Sequence, residues 1–351
     1  MSDVGPAAVF RLEKLPDEIL HETFTFISPH DLLHGWLTLN SRIKAIVSSV
    51  PISLFLSNYA GHPKEKEFFD ECFHHFGQQT VYYKDDRFGL ADFFDGYPQH
   101  TAFITPSHLP QLRSLHLAVI QRNVFERILF NVDGFLFSHL ETFSYGNITT
   151  YVPPADIQNE TLRHLCTGCD FLTFIQLLNH LPKLTSFKAN MTSMSREEEN
   201  FFSTMDLTVR CPSLTHLSIQ VACPIFTHLL NNHLFPHLIT CKVALRTCIT
   251  YENFCEVAQA LEENQKELKR FALKTLPHYY VTNPTPVKEL KKITKWFASI
   301  RTYLWQTDYE HYGQAWTTKK GKEEGEVKRW SWGSESQDEE ESDHDDDKDS
   351  A

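Results

Sequence analysis

A leucine-led segment recurs seven times along the middle of the chain, and this repetition constrains the fold more than any other feature. The leucines stand 22–30 residues apart: Leu112, Leu140, Leu162, Leu184, Leu214, Leu238 and Leu268. The residue three positions after each leucine is always apolar, and the residue five positions after it is apolar everywhere except at Thr167. Apolar side chains two positions apart predict a short β-strand with one buried face.

Helical patterns fill several of the intervals between these segments. Apolar residues recur at helical spacing in 171–181, 225–235 and 251–265. A strand followed by a helix, repeated along the chain, predicts an α/β fold whose strands form one parallel sheet. Each leucine should then be buried, and each strand should pair with the next strand in chain order.

This strand–helix unit resembles an irregular leucine-rich repeat. The Asn or Cys that regular repeats carry eight positions after the leucine is absent here. The resemblance implies a leucine-rich-repeat-like α/β solenoid with a parallel sheet over residues 109–280. Residues 57–108 would form a linker and a first degenerate repeat, with a helix in 68–76 and a strand in 79–83. A cap helix over residues 281–316 would close the array.

A binding surface is expected on the side chains that alternate with the buried ones. In a solenoid those side chains face the concave side, which such proteins typically use for binding. The candidate substrate-binding residues come from that set: His116, Ser144, Lys188, His216, Lys242 and Arg270. The alternative is that these are ordinary solvated strand positions, because loops and convex faces also carry binding sites.

The chain before the repeats has the pattern of three short helices. Pro16 suits the first turn of a helix, and the acids that follow it complement the helix dipole. Ser28-Pro29 ends that helix and begins a second, and Ser41 can cap a third. Three short helices bury little surface, and residues 15–50 carry more apolar side chains than so small a core can hide. This surplus predicts a partner surface.

The same stretch resembles the F-box motif. The matching residues are Leu15, Pro16, Glu18, Ile19, Leu20, Phe24, Ile27, Pro29, Asp31, Leu32 and Arg42. Thr23 stands where the family usually has Ile, and Asn40-Ser41-Arg42 replaces a common Cys-Arg-Trp-like step. The resemblance implies an F-box over residues 10–56, after a flexible N-terminus at 1–9.

Together the two resemblances imply the substrate-recognition subunit of an SCF-type cullin ubiquitin ligase. The F-box would bind a Skp-family adaptor, and through it a cullin, while the repeats would bind an unknown protein substrate. The implied adaptor-binding residues are Leu15, Pro16, Ile19, Leu20, Phe24, Ile27, Pro29, Asp31 and Leu32. Such a subunit is not an enzyme, because the chemistry lies in other subunits. The alternative is a non-ubiquitin leucine-rich-repeat scaffold whose N-terminal helices only cap the solenoid.

Charge is concentrated at the C-terminus. The formal net charge is −12, and residues 334–351 hold ten acids and one lysine, so this segment carries −9 and the remainder carries −3. This composition predicts a disordered acidic tail over residues 317–351. A nearly neutral body offers no broad basic face for nucleic acid. Since neither a secretory signal nor an 18-residue apolar run is found, we expect a cytoplasmic or nuclear protein that is neither secreted nor bound to a membrane.

The sequence offers little for catalysis or metal binding. Cys166 and Cys169 form a lone CxxC, whereas a structural zinc site needs four ligands and usually two such pairs. Glycine-rich phosphate loops and a GxSxG nucleophile turn do not occur in the sequence. The eight cysteines are expected to be free thiols of a reducing compartment. We therefore expect no metal, no cofactor and no catalytic residue.

Overall fold

The structure is a computed structural model, and it describes the chain in several separate stretches. The described residues are 14–56, 71–85, 104–118, 122–130, 137–148, 157–191, 201–202, 207, 211–246, 250–275, 289, 292–299 and 301–302. The predicted flexible N-terminus and acidic tail lie outside these residues, as does much of the predicted linker.

One parallel sheet of ten strands organises the described chain. Its strands are β1 Ile52–Leu56, β2 Thr80–Asp85, β3 Ser114–Leu117, β4 Thr142–Ile148, β5 His164–Cys169, β6 Ser186–Met191, β7 His216–Ala222, β8 Thr240–Arg246, β9 Arg270–Thr275 and β10 Arg301–Thr302. Their order in the sheet is their order in the chain, and β1 and β10 are its two edges. Every neighbouring pair is parallel. The predicted α/β fold with a single parallel sheet is thus confirmed.

The seven repeated leucines lie in the core, as predicted. Each stands two residues before a strand of β3–β9 and has an exposed fraction between 0% and 5%: Leu112, Leu140, Leu162, Leu184, Leu214, Leu238 and Leu268. The apolar residues three positions later are also buried, Phe143 and Phe187 at 0% among them. The leucines therefore anchor the chain where it enters each strand, and the alternation within the strand continues that buried row.

Three helices precede β1, and helices that come later in the chain lie on the buried face of the sheet. They are α1 Asp17–Phe24, α2 Pro29–Asp31 with a π-helical turn Leu32–Trp36, α3 Ser41–Val47, α4 at 71–76, α5 Arg122–Phe130, α6 Phe171–His180, α7 Cys223–Asn231 and α8 Tyr251–Asn264. The helices predicted in 171–181, 225–235 and 251–265 correspond to α6, α7 and α8. Aromatic contacts join the two layers, with the rings of Phe174 on α6 and Phe187 on β6 stacked 5.1 Å apart.

Side chains define where the helices begin. The carboxylate of Asp170 accepts a hydrogen bond from the Thr173 backbone N–H at 2.8 Å and so caps α6. Thr250 and Asn253 form a reciprocal capping box at the start of α8. These caps satisfy backbone donors at the start of each helix, which the helix itself leaves unpaired.

Two elements at the ends of the sheet differ from the expectation. Strand β1 lies inside the region assigned to the N-terminal helices, where Ile52 and Leu54 are buried and Phe55 is 63% exposed. At the other end, the described residues of the expected cap helix are α-helical at Glu289, Lys292 and Ile293, and a 3-10 helix, Lys295–Ser299, and then β10 follow them. Phe297 is fully buried there against the rings of Phe254 and Phe271, and this anchor holds the chain where β10 can pair with β9.

Within the described residues, no helix combines the length and apolar content that crossing a lipid bilayer requires.

Truncation of a repeated leucine should be costly. We expect Leu184→Ala to lower the free energy of unfolding by about 2–5 kcal/mol, because it removes a buried side chain and leaves a cavity. The matched control is Lys188→Ala, four residues later on the exposed face of β6, which should change stability by less than about 0.5 kcal/mol. Urea denaturation followed by circular dichroism measures both, and equal effects of the two substitutions would contradict the assignment of faces.

Substitution of a glycine in β4 should destabilise the fold. A Cβ added at Gly146 would overlap the backbone oxygen of Ala118, at a point where the β4–β5 register shifts between Tyr145 and Asn147. We expect Gly146→Ala to destabilise the protein by about 1–3 kcal/mol, because backbone must move to relieve the overlap. Gly35→Ala is the control, since nothing lies within 4 Å of its added Cβ. Differential scanning calorimetry should show a lower melting temperature for the first variant only.

Candidate interaction surfaces

The three N-terminal helices pack around two side chains of α1. Leu20 and Phe24 are both fully buried, and the Phe24 ring meets the Trp36 ring edge-on at 5.0 Å. Leu32, Ile43 and Val47 complete this small core with exposed fractions of 0–1%. Burial of one stripe per helix fixes which side chains face outward.

Polar contacts set the turns between the helices. Ser28 caps α2: its hydroxyl accepts a hydrogen bond from the Asp31 backbone N–H at 3.1 Å and donates one to the Asp31 carboxylate at 2.7 Å. The second of these bonds is the main reason that the pKa of Asp31 is below its ordinary value. The side chain of Asn40, rather than the predicted Ser41, caps α3 by accepting from the Ile43 N–H at 2.8 Å. Asn40 takes the cap because it is the last extended residue before the helix.

Arg42 ties the beginning of α3 to the beginning of α1. Its Nε donates to the carboxylate of Asp17 at 2.8 Å, and its Nη2 donates to the backbone oxygen of Leu15 at 2.6 Å. Both charged side chains are substantially exposed, so the ion pair adds at most about 1 kcal/mol of stability. Its clearer effect is geometric, because a planar guanidinium with two partners fixes where residues 15–17 lie against α3.

Large apolar side chains remain exposed on helices α1–α3 and the turns that join them, which we call the helical module. Ile19 is 45% exposed, Phe26 is 83% exposed and Leu39 is 51% exposed, and together we call them the helical apolar surface. They are three of the seven large apolar side chains found exposed within the described residues, although the module is a small part of the chain. Such a density is typical of a surface that a partner covers.

The predicted adaptor-binding residues divide into a core group and a surface group. Leu20, Phe24 and Leu32 are fully buried, so they support the module rather than face a partner. The half-buried ones are Leu15, Ile27 and Pro29, and the exposed ones are Pro16, Ile19 and Asp31. Sequence reasoning missed Phe26 and Leu39, because neither belongs to the motif, although both are large apolar residues close to a helix end.

The second surface is the face of the sheet opposite the helices, which we call the polar sheet face. Two rows of side chains cross it from strand to strand. The first row runs Ser114, Thr142, His164, Ser186, His216, Thr240 and Arg270, and the second runs His116, Ser144, Cys166, Lys188, Ser218, Lys242 and Ala272. All six predicted substrate-binding residues lie in these rows. The structure therefore brings them onto one surface, in two adjacent lines.

The two ends of the polar sheet face have different chemistry. At the β1 end, the ring of Tyr82 lies 5.0 Å from Phe55 and 5.1 Å from His116, and Ser114 hydrogen-bonds His116 at 3.0 Å. At the β9 end the large side chains are basic, with Lys188, Lys242 and Arg270 all exposed. Sequence reasoning missed the aromatic end, because β1 was not identified as a strand.

Basic residues outnumber acidic ones on this face. The register places Lys84 beside His116 on β2 and β3, and Lys274 beside Ala244 on β9 and β8. Burial lowers the pKa of Lys274 below its ordinary value, although the lysine is still half-buried rather than enclosed. Among the described residues that point out of this face from β1 to β9, none carries a carboxylate, and Asp85 belongs to the buried side.

The CxxC pair is divided between the two faces of the sheet. Cys166 is half-buried on the polar sheet face beside Lys188, whereas Cys169 is fully buried beside Met191. Residues three apart in a strand point to opposite sides, so the two sulfur atoms do not converge. Elsewhere in the described stretches, no group of three His, Cys, Asp or Glu side chains is arranged to hold a metal ion.

Burial makes most of the described thiols poor nucleophiles. It raises the pKa of Cys72, Cys211 and Cys223 to about 12, and it raises the pKa of Cys169 and Cys241 further still. A thiol that stays protonated at neutral pH does not attack a substrate. These cysteines are therefore core residues.

Comparison with known proteins gives no family for this chain. No protein-family model matches the sequence. No curated protein matches it either.

The thiols should react in an order set by burial. In native protein at pH 8, Cys166 and Cys255, which are half-buried, should react with Ellman's reagent well before the five fully buried thiols. A thiol with a pKa of about 12 has roughly a thousandfold less thiolate at pH 8 than an ordinary cysteine, and its access is restricted as well. Mass spectrometry of labelled peptides identifies each site, with all eight cysteines reacting after denaturation as the control. Fast native labelling of Cys169 or Cys241 would contradict the proposed core.

Proposed function

We propose that this protein is the substrate-recognition subunit of an SCF-type cullin ubiquitin ligase, acting in the cytoplasm or nucleus. The helical module is its F-box and binds a Skp-family adaptor, while the parallel sheet belongs to a leucine-rich-repeat-like solenoid that binds a protein substrate. The observation that carries the proposal is the helical apolar surface, which lies within a stretch whose sequence resembles the F-box motif. No catalytic residue is needed in this role.

The burial pattern in the helical module separates residues that stabilise it from residues that are free to meet an adaptor. Leu20, Phe24 and Leu32 give three short helices a common core, so the module can keep its shape while Ile19 and Phe26 face a partner. Covering large apolar side chains contributes about 25 cal/mol per Å² of apolar area removed from water. An adaptor with an apolar groove would therefore gain most of its binding free energy from these exposed side chains.

The arrangement of the sheet supports the second half of the proposal. The strands follow chain order, a buried leucine precedes each of β3–β9, and a helix follows several of them. Such an arrangement is typical of repeat proteins that present one extended face to a ligand. The polar sheet face is such a surface. Its two rows of His, Ser, Lys and Arg side chains offer hydrogen-bond donors over several adjacent strands.

A scaffold without a ubiquitin role is the second candidate, and one observation favours it. The N-terminal helices belong to the same continuous core as the sheet, with Val50 and Ile52 buried where α3 leads into β1. A helical cap that only protects the first strand of a solenoid would look the same at this junction. The two functions differ in what covers Ile19 and Phe26.

Adaptor binding should depend on the exposed side chain of Ile19. We expect Ile19→Lys to weaken binding to a purified Skp-family adaptor by more than tenfold, because a lysine buried without a partner costs several kcal/mol and each 1.4 kcal/mol is tenfold in affinity. The change should leave the melting temperature nearly unaltered, since this position is exposed in the free protein. Pulldown and titration calorimetry measure the binding.

Leu172→Lys is the matched control for that experiment. Leu172 is 43% exposed on α6, close to the 45% of Ile19, but it lies outside the helical module. This variant should bind the adaptor as the unchanged protein does. Absence of binding by the unchanged protein would eliminate the ligase function and leave the scaffold.

A further inference from the structure

A cavity lies between the end of α8 and the segment of chain that precedes β10. Its lining residues fall within 261–266 and 292–296, and its volume is about 600 Å³. Ligand-binding clefts in proteins typically have volumes of roughly 300–1,000 Å³. Among the described residues that line it, none belongs to the helical module or to the polar sheet face. The cavity is therefore separate from the two surfaces described above.

Hydrogen bonds and an aromatic contact fix the second wall of the cavity against α8. The buried hydroxyl of Thr294 donates to the carboxylate of Glu262 at 2.6 Å, and it accepts from the backbone N–H of Trp296 at 3.4 Å. One residue further on, the buried ring of Phe297 meets the ring of Phe254 edge-on at 5.9 Å. Because buried groups on both sides take part, the cavity has a defined shape before any ligand enters.

Two residues that line the cavity have buried polar groups without a hydrogen-bond partner. Gln265 has an exposed fraction of only 2%, and both its amide nitrogen and its amide oxygen are unpaired. The indole N–H of Trp296 is also buried and unpaired. Such groups have already lost contact with bulk water, so a hydrogen bond to a ligand is not offset by further dehydration. They favour a ligand that supplies both donors and acceptors.

Lysines make the cavity positive. Lys266, Lys292 and Lys295 line it and are exposed, and Glu262 is the acid among the described lining residues, which gives a formal charge of +2. The ammonium of Lys295 lies 4.9 Å from the centre of the Trp296 ring. A cation and an unpaired donor therefore lie close together on one wall, and both favour a ligand with an anionic group.

We propose that this cavity binds the free C-terminus of a partner protein. The terminal carboxylate pairs with the lysines, and the last peptide groups pair with Gln265 and Trp296. A glutamine amide has donors and an acceptor, and a peptide group offers one of each, so the two are complementary. Capture of a terminal carboxylate is an established mode of peptide recognition. The inference goes beyond the proposed function and does not rest on it.

The chemistry of the lining favours a peptide terminus over a phosphate compound. A phosphate dianion offers only acceptors, so it would leave the amide oxygen of Gln265 unpaired. Nucleotide sites commonly hold phosphate with glycine-rich loops, and the described lining residues include no glycine. Lys295 also lies over the ring of Trp296, where a stacked base would have to compete with it.

The test uses the full chain and a hexapeptide mixture randomised at its last three positions. The mixture is made twice, once with a free C-terminal carboxylate and once with a C-terminal amide. Immobilised protein is incubated with both, and mass spectrometry quantifies the retained peptides. Free acids should be enriched at least fivefold over amides. The most enriched sequence, labelled with fluorescein, should bind at least tenfold tighter as the acid than as the amide in fluorescence anisotropy, because only the acid offers a charge to the lysines.

The Gln265→Leu variant tests the buried amide. It removes the polar atoms at nearly constant volume and should weaken binding of the free acid at least tenfold. Its melting temperature should be equal to or above that of the unchanged protein, since a buried unpaired amide is lost. A residue with only a structural role would not separate the two measurements in this way.

A second pair of variants tests the lysines independently of Gln265. Lys266→Gln combined with Lys292→Gln should reduce the preference for acid over amide from at least tenfold to less than threefold. The control, Lys44→Gln combined with Lys269→Gln, removes the same charge at exposed positions outside the cavity and should keep the full preference. Circular dichroism confirms folding of each variant.

Three outcomes would overturn the proposal. The first is retention of acids and amides in equal amounts, or of neither. The second is unchanged binding of the free acid by both the Gln265 variant and the lysine variant. The third is displacement of the labelled peptide by ATP or inorganic phosphate at a lower concentration than by the unlabelled peptide, because the cavity would then be a phosphate site.

Discussion

The alternation of side chains along parallel strands is the constraint on which the two faces of this molecule depend. In β6 the buried members Phe187, Ala189 and Met191 interleave with Ser186, Lys188 and Asn190 on the other face. A shift of one residue in the register would move the phenylalanine to the surface and bury the lysine. The core and the polar sheet face are thus specified by one property of the backbone, and neither can change alone.

The repeat pattern predicted the middle of the fold because each buried position recurs. The leucine and the apolar residue three positions later identify the register of every strand from β3 to β9, and the register decides which residues become neighbours. That is why His116 and Lys242 could be assigned to one surface from sequence. Strand β1 has the same alternation in Ile52 and Leu54, but no leucine of the repeat precedes it. Its sequence alone therefore does not separate it from the helical region that it follows. After residue 292 the apolar spacing is compatible with a helix, and the chain is helical at Lys292 and Ile293. It continues as the 3-10 helix Lys295–Ser299, and it pairs with β9 only at Arg301 and Thr302.

In the helical module, the sequence motif does not predict which apolar residues are buried and which are exposed. An apolar stripe of α1 contains Ile19, Leu20 and Phe24, and no local rule states which of them faces the small core. Packing decides it: Phe24 contacts Trp36, and Arg42 holds the start of α1 against α3. Tertiary contacts therefore divide a row of similar residues into buried and exposed members. Phe26, the most exposed of the large apolar side chains described, lies outside the motif and becomes apparent only once the helices are assembled.

The agreement between strand order and chain order has a consequence for how this protein is made. A ribosome releases the helical module and β1 first, and each later strand then emerges beside an edge that has already formed. Contacts between neighbouring strands join residues at most a few tens of positions apart, so the loop that must close at each step is short. The growing chain can fold strand by strand during synthesis, before its C-terminus is made. A chain whose synthesis is interrupted would form a shorter array of the same strands.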